Sequence, residues 1–419
     1  MKKYETYKDS GLEWLGMVPE HWGIVPLKYL LSEPLQYGAN ESADNCNPSE
    51  PRYIRITDIT EDGKLRKSTY RTLPYQKAEG YMLKKGDILF ARSGATVGKT
   101  FLFEEDYDAC FAGYLIKASC NERLLPMFLY YFTSSNSYEN WKNSTFNQAT
   151  IQNIGADKYC TLPIPTPSSE EQEGIINFLS HNVAQIDALI SEKEKMVEDL
   201  KAYRSSLITE TVTKGLDKDV KMKDSGVEWI GKMPQNWKLL KLKRIVNLKS
   251  GTSLTSDRIL DEGKYQVFGG NGPRGYIDDY TNEGNFVLIG RQGALCGNIN
   301  YANGKFWATE HAIICYPLKE IDTIWLGETL RAMNLNQYSI SAAQPGLAVE
   351  RINELLIPTP SISEQKEISS YLKLKITQIE SAISEQEHQL SDLKSYKSSL
   401  ITEAVTGKID LRDWQTKKS

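Results

Sequence analysis

Histidine is scarce in this chain, the cysteines form no motif, and positive charge is not in excess. The 419 residues include four histidines and six cysteines (Cys46, Cys110, Cys120, Cys160, Cys296 and Cys315). No Cys-x-x-Cys pair occurs, so a zinc site has no support. Scattered cysteines and the absence of a signal peptide predict a cytoplasmic protein in a reducing compartment. The polar start Met1-Lys2-Lys3-Tyr4-Glu5 and the lack of any apolar run near roughly 20 residues predict no membrane span. Lys and Arg total 50 against 54 Asp and Glu, a formal charge of −4. The molecule as a whole is therefore no electrostatic magnet for nucleic acid. Any DNA contact has to come from local patches or from a partner that carries the positive charge.

Catalytic signatures are missing too. Gly94-Ala95-Thr96-Val97-Gly98-Lys99-Thr100 imitates a phosphate-binding loop but has one residue too few between its glycines. Phe268-Gly269-Gly270-Asn271-Gly272 imitates the cofactor loop of adenine methyltransferases. Their Asn/Asp-Pro-Pro-aromatic companion is absent; Asn47-Pro48-Ser49 comes nearest and lacks the second proline. No nucleophile elbow or metalloprotease motif occurs. Glu104-Glu105-Asp106 reads as a solvated turn. The chain shows no chemistry of its own.

What it does show is repetition, which fixes architecture before any single motif does. Lys8-Asp9-Ser10-Gly11-Leu12-Glu13-Trp14-Leu15-Gly16 returns as Lys223-Asp224-Ser225-Gly226-Val227-Glu228-Trp229-Ile230-Gly231, and Pro19 and Trp22 return as Pro234 and Trp237. Pro165-Thr166-Pro167 with Glu171-Gln172 becomes Pro358-Thr359-Pro360 with Glu364-Gln365. Ser205-Ser206-Leu207-Ile208-Thr209-Glu210 becomes Ser398-Ser399-Leu400-Ile401-Thr402-Glu403. The opening phrase recurs at an offset of 215 and the closing phrases at 193, so the second insert is 22 residues shorter (215 − 193). Two matched frames surround two near-neutral, divergent inserts. This predicts a pseudo-dimer in one chain, with each half reading something different.

From Glu171 to about Thr213 apolar residues fall at Leu179, Val183, Ile186, Ile190, Val197, Leu200 and Leu207. The second copy has Leu372, Ile376, Ile379, Ile383, Leu390, Leu393 and Leu400. Polar breaks fall at Lys193 and Arg204, and at Gln386 and Lys397. The four-and-three step predicts two coiled-coil helices of roughly 60 Å that pair antiparallel. Packing of each helix on a neighbouring domain is the plainer alternative. Ser168 or Ser169 after Pro167 is the expected N-cap, and Gly215 and Gly407 the stop signals.

The inserts read as mixed α/β globules. Strands are expected at 53–56, 87–91, 113–117, 285–289 and 312–316, and helices at 124–133 and 325–333. Turn signals stand at Glu61-Asp62-Gly63-Lys64 and Asn303-Gly304. One element is matched inside them: Arg92-Ser93-Gly94-Ala95-Thr96-Val97-Gly98 against Arg291-Gln292-Gly293-Ala294-Leu295-Cys296-Gly297. An arginine at a strand end beside a glycine turn suits contact with guanine or phosphate. A structural turn whose arginine binds a local carboxylate is the alternative.

The Asp-Ser-Gly-x-Glu-Trp-x-Gly frames, the Pro-x-Pro-x-x-Glu-Gln helix starts and the Ser-Ser-Leu-Ile-Thr-Glu closings resemble the specificity subunits of type I restriction–modification systems, over essentially the whole chain. The resemblance implies an α+β fold: two α/β target recognition domains separated by two long helices in an antiparallel coiled coil. The expected segments are 1–166 and 216–359 for recognition, 167–215 for the central helix, and 360–419 for the second helix and tail. Each recognition domain would read half of a split, asymmetric site in double-stranded DNA, and the helices would set the gap. The chain itself would be non-catalytic, with no cofactor of its own. Two methyltransferase subunits would carry S-adenosylmethionine, and two restriction subunits ATP and Mg. Arg92 and Arg291 are the first candidate DNA contacts, then Lys99, the cluster Lys64, Arg66 and Lys67, and Asn271 and Arg274 in the Gly-rich loop. A protein-binding scaffold and a fused restriction–methylation enzyme are the competing readings.

Overall fold

The structure is a computed structural model that describes residues 2–42, 44–60, 63–145, 153–293, 295–339 and 346–414. They form two compact units, one of residues 1–193 with 388–419 and one of residues 194–387. The division falls inside the two long helices, Ser169–Lys214 and Ile362–Val405, so each unit holds part of both. The segments expected from sequence divide at the helix ends instead.

Both helices begin with the same capping box. The Glu171 N–H donates to Ser168 Oγ at 3.2 Å and the Ser168 N–H to Glu171 Oε2 at 3.3 Å. Ser361 and Glu364 repeat this at 3.3 and 3.0 Å. Such a cap satisfies donors that the first helical turn leaves orphaned. In the first unit the helices run antiparallel: Asp187 accepts from Lys397 at 2.6 Å and Gln389 accepts from Lys193 at 2.6 Å. In the second unit Glu380 accepts from Arg204 at 3.2 Å and Glu387 from Lys201 at 2.9 Å, in the same sense. Three of the polar breaks, Lys193, Arg204 and Lys397, thus bond across, as does Lys201. Near the helix ends the buried set widens to Ile175, Phe178, Leu179, Ile208 and Val212, because there the helix packs on a globule as well as on its partner.

The frames fold into small hairpins beside these ends. Tyr7–Asp9 pairs with Met17–Pro19, and Met222–Asp224 with Lys232–Pro234. The repeated Asp-Ser-Gly is the loop between them: the Asp9 carboxylate accepts from the Gly11 N–H and Ser10 Oγ from the Leu12 N–H, with the same pair at Asp224 and Ser225. The Pro-Thr of each Pro-Thr-Pro phrase ends a strand, Pro163–Thr166 against Gly23–Pro26 and Leu356–Thr359 against Lys238–Lys241. Two-stranded ribbons tolerate these prolines because each strand has a free edge.

The main sheet of the first unit runs in the order Gln36–Tyr37, Leu115–Ala118, Ile88–Ala91, Thr100–Leu102. The second unit repeats it as Val246–Ser250, Ala312–Pro317, Asn282–Gly290, Ile299–Ala308 and extends it with Tyr265–Gly269 and Gly272–Ile277. Two expectations need correction, and one helix carries no clear signal in the sequence. The strand at 53–56 is Arg52–Ile54, because Asp58 binds the Arg55 guanidinium at 2.8 Å and turns Ile56–Asp58 into a 3-10 turn. Asn303-Gly304 is no turn but lies inside the strand Ile299–Ala308, where Gly304 (φ 74°) faces Gly284 (φ 130°). Glycine marks a local twist there, not a chain reversal. The helix Asn136–Thr145 was not foreseen; its face is only Tyr138 and Trp141 among polar residues, too sparse a period to read. Glu61 and Asp62 of the other turn signal lie outside the described residues.

Candidate nucleic-acid interface

Each globule is anchored by its frame tryptophan. Trp22 is fully buried, and its Nε1–H lies 3.5 Å from Glu171 Oε1, while Trp237 donates to Glu364 Oε1 at 3.1 Å. Burial by itself would raise the Glu171 carboxyl, but hydrogen bonds with His21, Ser168 and Trp22 outweigh it and hold the group below the usual carboxylate range. Glu364 is held low in the same way, burial being outweighed by Trp237 and Ser361. The neighbouring glutamine ties helix to insert: Gln172 accepts from the Leu125 N–H and donates to the Arg123 and Pro167 carbonyls. Gln365 accepts from the Asp322 N–H and donates to the Pro360 carbonyl. The repeated Glu-Gln is therefore a mount for the sheet above it.

On those mounted sheets the two arginine turns coincide bond for bond. Gly98 N–H donates to Ala91 O and Gly297 N–H to Gly290 O, each at 2.8 Å. Val97 to Gly94 and Cys296 to Gly293 are each 3.0 Å. Lys99 to Thr96 and Asn298 to Leu295 are likewise each 3.0 Å. The second glycine is required on two counts. Its φ is positive in both turns (82° and 87°), and a Cβ on Gly297 would stand 2.6 Å from the Asn336 nitrogen. Outside the turn, Arg92 O accepts from the Ile154 N–H at 2.8 Å and Arg291 O from the Leu347 N–H at 2.9 Å. Cys296 is a packing residue here: its thiol donates to Arg291 O at 3.3 Å, and burial pushes it up from the ordinary thiol value.

Among the described residues neither guanidinium pairs with a carboxylate. Arg92 lies over the Tyr37 ring, 5.1 Å from its centroid, and its Nε is buried without a hydrogen-bond partner. Arg291 donates to Ser250 Oγ at 3.2 Å. Tyr37 and Ser250 end matching strands, and both were missed from sequence because only the sheet order brings them beside the turn.

The remaining candidates fall in two places. In the first unit Lys64 and Lys99 line one cleft of about 500 Å³, which Arg92, Arg66 and Lys67 do not line. Arg66 and Lys67 are exposed, and the Arg66 carbonyl accepts from Arg52. In the second unit Asn271 and Arg274 line an open pocket of about 490 Å³ together with Gln292, Gly293 and His311, so the Gly-rich loop reaches the arginine turn. No helix follows Gly94–Thr96; the strand Thr100–Leu102 does, so the phosphate-loop likeness lacks the helix N-terminus that such a loop needs. Among the described residues no group of His, Cys, Asp and Glu is placed to hold a metal, and no helix is long and apolar enough to cross a membrane.

The chain matches the family model of the type I restriction modification DNA specificity domain twice, over residues 36–199 and 234–388. It is 29% identical over 327 residues to the type I restriction enzyme EcoprrI specificity subunit of Escherichia coli, covering 76% of this chain and 79% of that one. It is 24% identical over 447 residues to the MjaVIII specificity subunit of Methanocaldococcus jannaschii, covering 98% and 97%. In fold it is similar to a solved chain from work on complex assembly and conformational transition of the type I R-M system, with a TM-score of 0.73, 17% identity and coverage of 94% and 99%. The HsdS subunit from Thermoanaerobacter tengcongensis has a TM-score of 0.50 at 17% identity, over 94% of this chain and 98% of that one. With two specificity domains and the frames that mount them, this chain belongs to the type I restriction–modification DNA specificity family.

Proposed function

We propose that this chain supplies sequence specificity to a type I restriction–modification complex and performs no chemistry itself. The observation that carries this is the arginine turn built twice, bond for bond, on two sheets that share a four-strand order but differ in sequence and in extent. A shared presentation with different surroundings is what two unlike half-sites require. Each unit reads one half of a split site in double-stranded DNA, with Arg92 and Arg291 at the centre of the contact. Lys64, Lys99, Arg66 and Lys67 serve the first half-site, and Asn271 and Arg274 the second. The paired helices set the gap and seat two methyltransferase subunits, and two restriction subunits complete the complex. S-adenosylmethionine, ATP and Mg belong to those partners, and the assembly works in the cytoplasm. The net charge of −4 fits a division in which partners supply much of the phosphate contact.

The test is to co-express the chain with its methyltransferase subunit and map N6-methyladenine across the host genome. A single split, asymmetric motif with a fixed gap supports the reading. No methylation by an assembled complex, or methylation without sequence preference, favours a protein-binding scaffold instead.

A further inference from the structure

The bonds that shape the two arginine turns are backbone bonds, so the side chains around them are free to differ. Two such positions stand at the rim. The first follows the arginine: Ser93 in the first unit, Gln292 in the second. Its backbone bridges to Asn153 and to Gly346 respectively. The second is the residue whose carbonyl accepts from the arginine N–H: Tyr114 at 3.0 Å, His311 at 2.8 Å. The backbone of both positions is held by main-chain bonds, and both carry different chemistry in the two units.

In the second unit the pair is preorganised. His311 Nδ1–H donates to Gln292 Oε1 at 3.1 Å, and both side chains line the open pocket that Asn271 and Arg274 share. The imidazole lies beside Glu310, whose Oε1 is 3.6 Å from His311 Nε2. An amide with a donor and an acceptor side by side matches the N6 and N7 edge of adenine, and a guanidinium matches guanine O6 and N7. Gln292 is exposed, which packing does not require. In the first unit Tyr114 is 60% exposed and so contributes little to the core. The polar, bidentate rim of one unit becomes hydroxyl and aromatic in the other.

We propose that Gln292 and His311 in the second unit, and the matched Ser93 and Tyr114 in the first, are specificity-determining residues that read base edges from a common turn. The arginine fixes the turn on the duplex, and these two positions select the bases beside it. This rests on the reading that each unit recognises one half-site, and it names the positions that make the half-sites differ.

The test uses the full chain with its methyltransferase subunit, carrying Gln292→Ala, His311→Ala or Tyr114→Ala, with N6-methyladenine mapping as readout. Because the turn is held by backbone bonds, each variant is expected to fold and assemble. Gln292→Ala and His311→Ala relax the same single half-site, lowering discrimination at one or two bases by roughly 5- to 150-fold. Tyr114→Ala relaxes only the other half-site, and the gap stays fixed in all three. An unchanged motif, or relaxation of both half-sites together, overturns the proposal. A wild-type complex that yields no split motif removes the underlying reading, and the inference falls with it. A variant that methylates nothing is scored by binding of its purified complex to duplexes substituted base by base. Preference lost in one half-site supports the proposal, and wild-type preference overturns it.

Discussion

Trp237 donates its indole N–H to Glu364, the residue that also closes the capping box at the start of the second long helix. One carboxylate thus joins frame hairpin, helix start and globule, and Glu171 does the same for Trp22. Both carboxyls are held below their unfolded value. A depressed carboxyl contributes stability that is present above its unfolded pKa, about 4.3, and lost as pH falls through the folded value. Urea unfolding at neutral pH and at acid pH should therefore show a fall in stability that is smaller in the Glu171→Gln, Glu364→Gln double variant. An equal fall in both proteins would contradict the assignment.

Trp22 is among the largest fully buried side chains of its unit, and a Cβ on Gly407, just past the helix end, would touch both it and Pro19. Trp22→Ala is expected to cost about 3–5 kcal/mol through the cavity it leaves. Trp22→Phe fills most of that space but leaves Glu171 without the indole N–H, and should cost less. Chemical denaturation of the two variants ranks them, and equal losses would assign the whole effect to the hydrogen bond.

Lys397 and Asp187 bond across the helices at a break in the apolar seam, with side chains 26% and 46% exposed. Pairs this wet contribute about 1 kcal/mol or less. Lys397→Leu restores the apolar period, so it should leave thermal stability unchanged or raise it slightly. A large destabilisation would show that the pair fixes the helix register.

Arg92 and Arg291 sit on separate sheets, so Arg92→Ala and Arg291→Ala should each relax a different half-site in a methylation map. Tyr37 positions Arg92 through its ring, while its hydroxyl accepts from the Ala156 N–H at 2.9 Å. Tyr37→Phe should keep the motif and Tyr37→Ala should relax the Arg92 half-site alone. Equal effects of the two substitutions would place the role in the hydroxyl.

The repeats by themselves determined that the chain has two matched halves, two long helices with Ser-Glu starts, and an arginine turn in each insert. Those features are local: caps, apolar periods and glycine turns depend on residues a few positions apart, and sequence carries them directly. The tertiary structure decided what depends on residues distant in sequence. It put Tyr37 beside Arg92 and Ser250 beside Arg291, because strand order is set by packing across the whole sheet. It separated Arg66 and Lys67 from the cleft that Lys64 and Lys99 share, although all four looked alike as basic residues. It joined Asn271 and Arg274 to Gln292 and His311 across a loop that sequence left open. It also gave Glu171 and Gln172 their meaning, since a carboxylate and an amide beside a helix start become a mount only when Trp22 and Leu125 fold onto them.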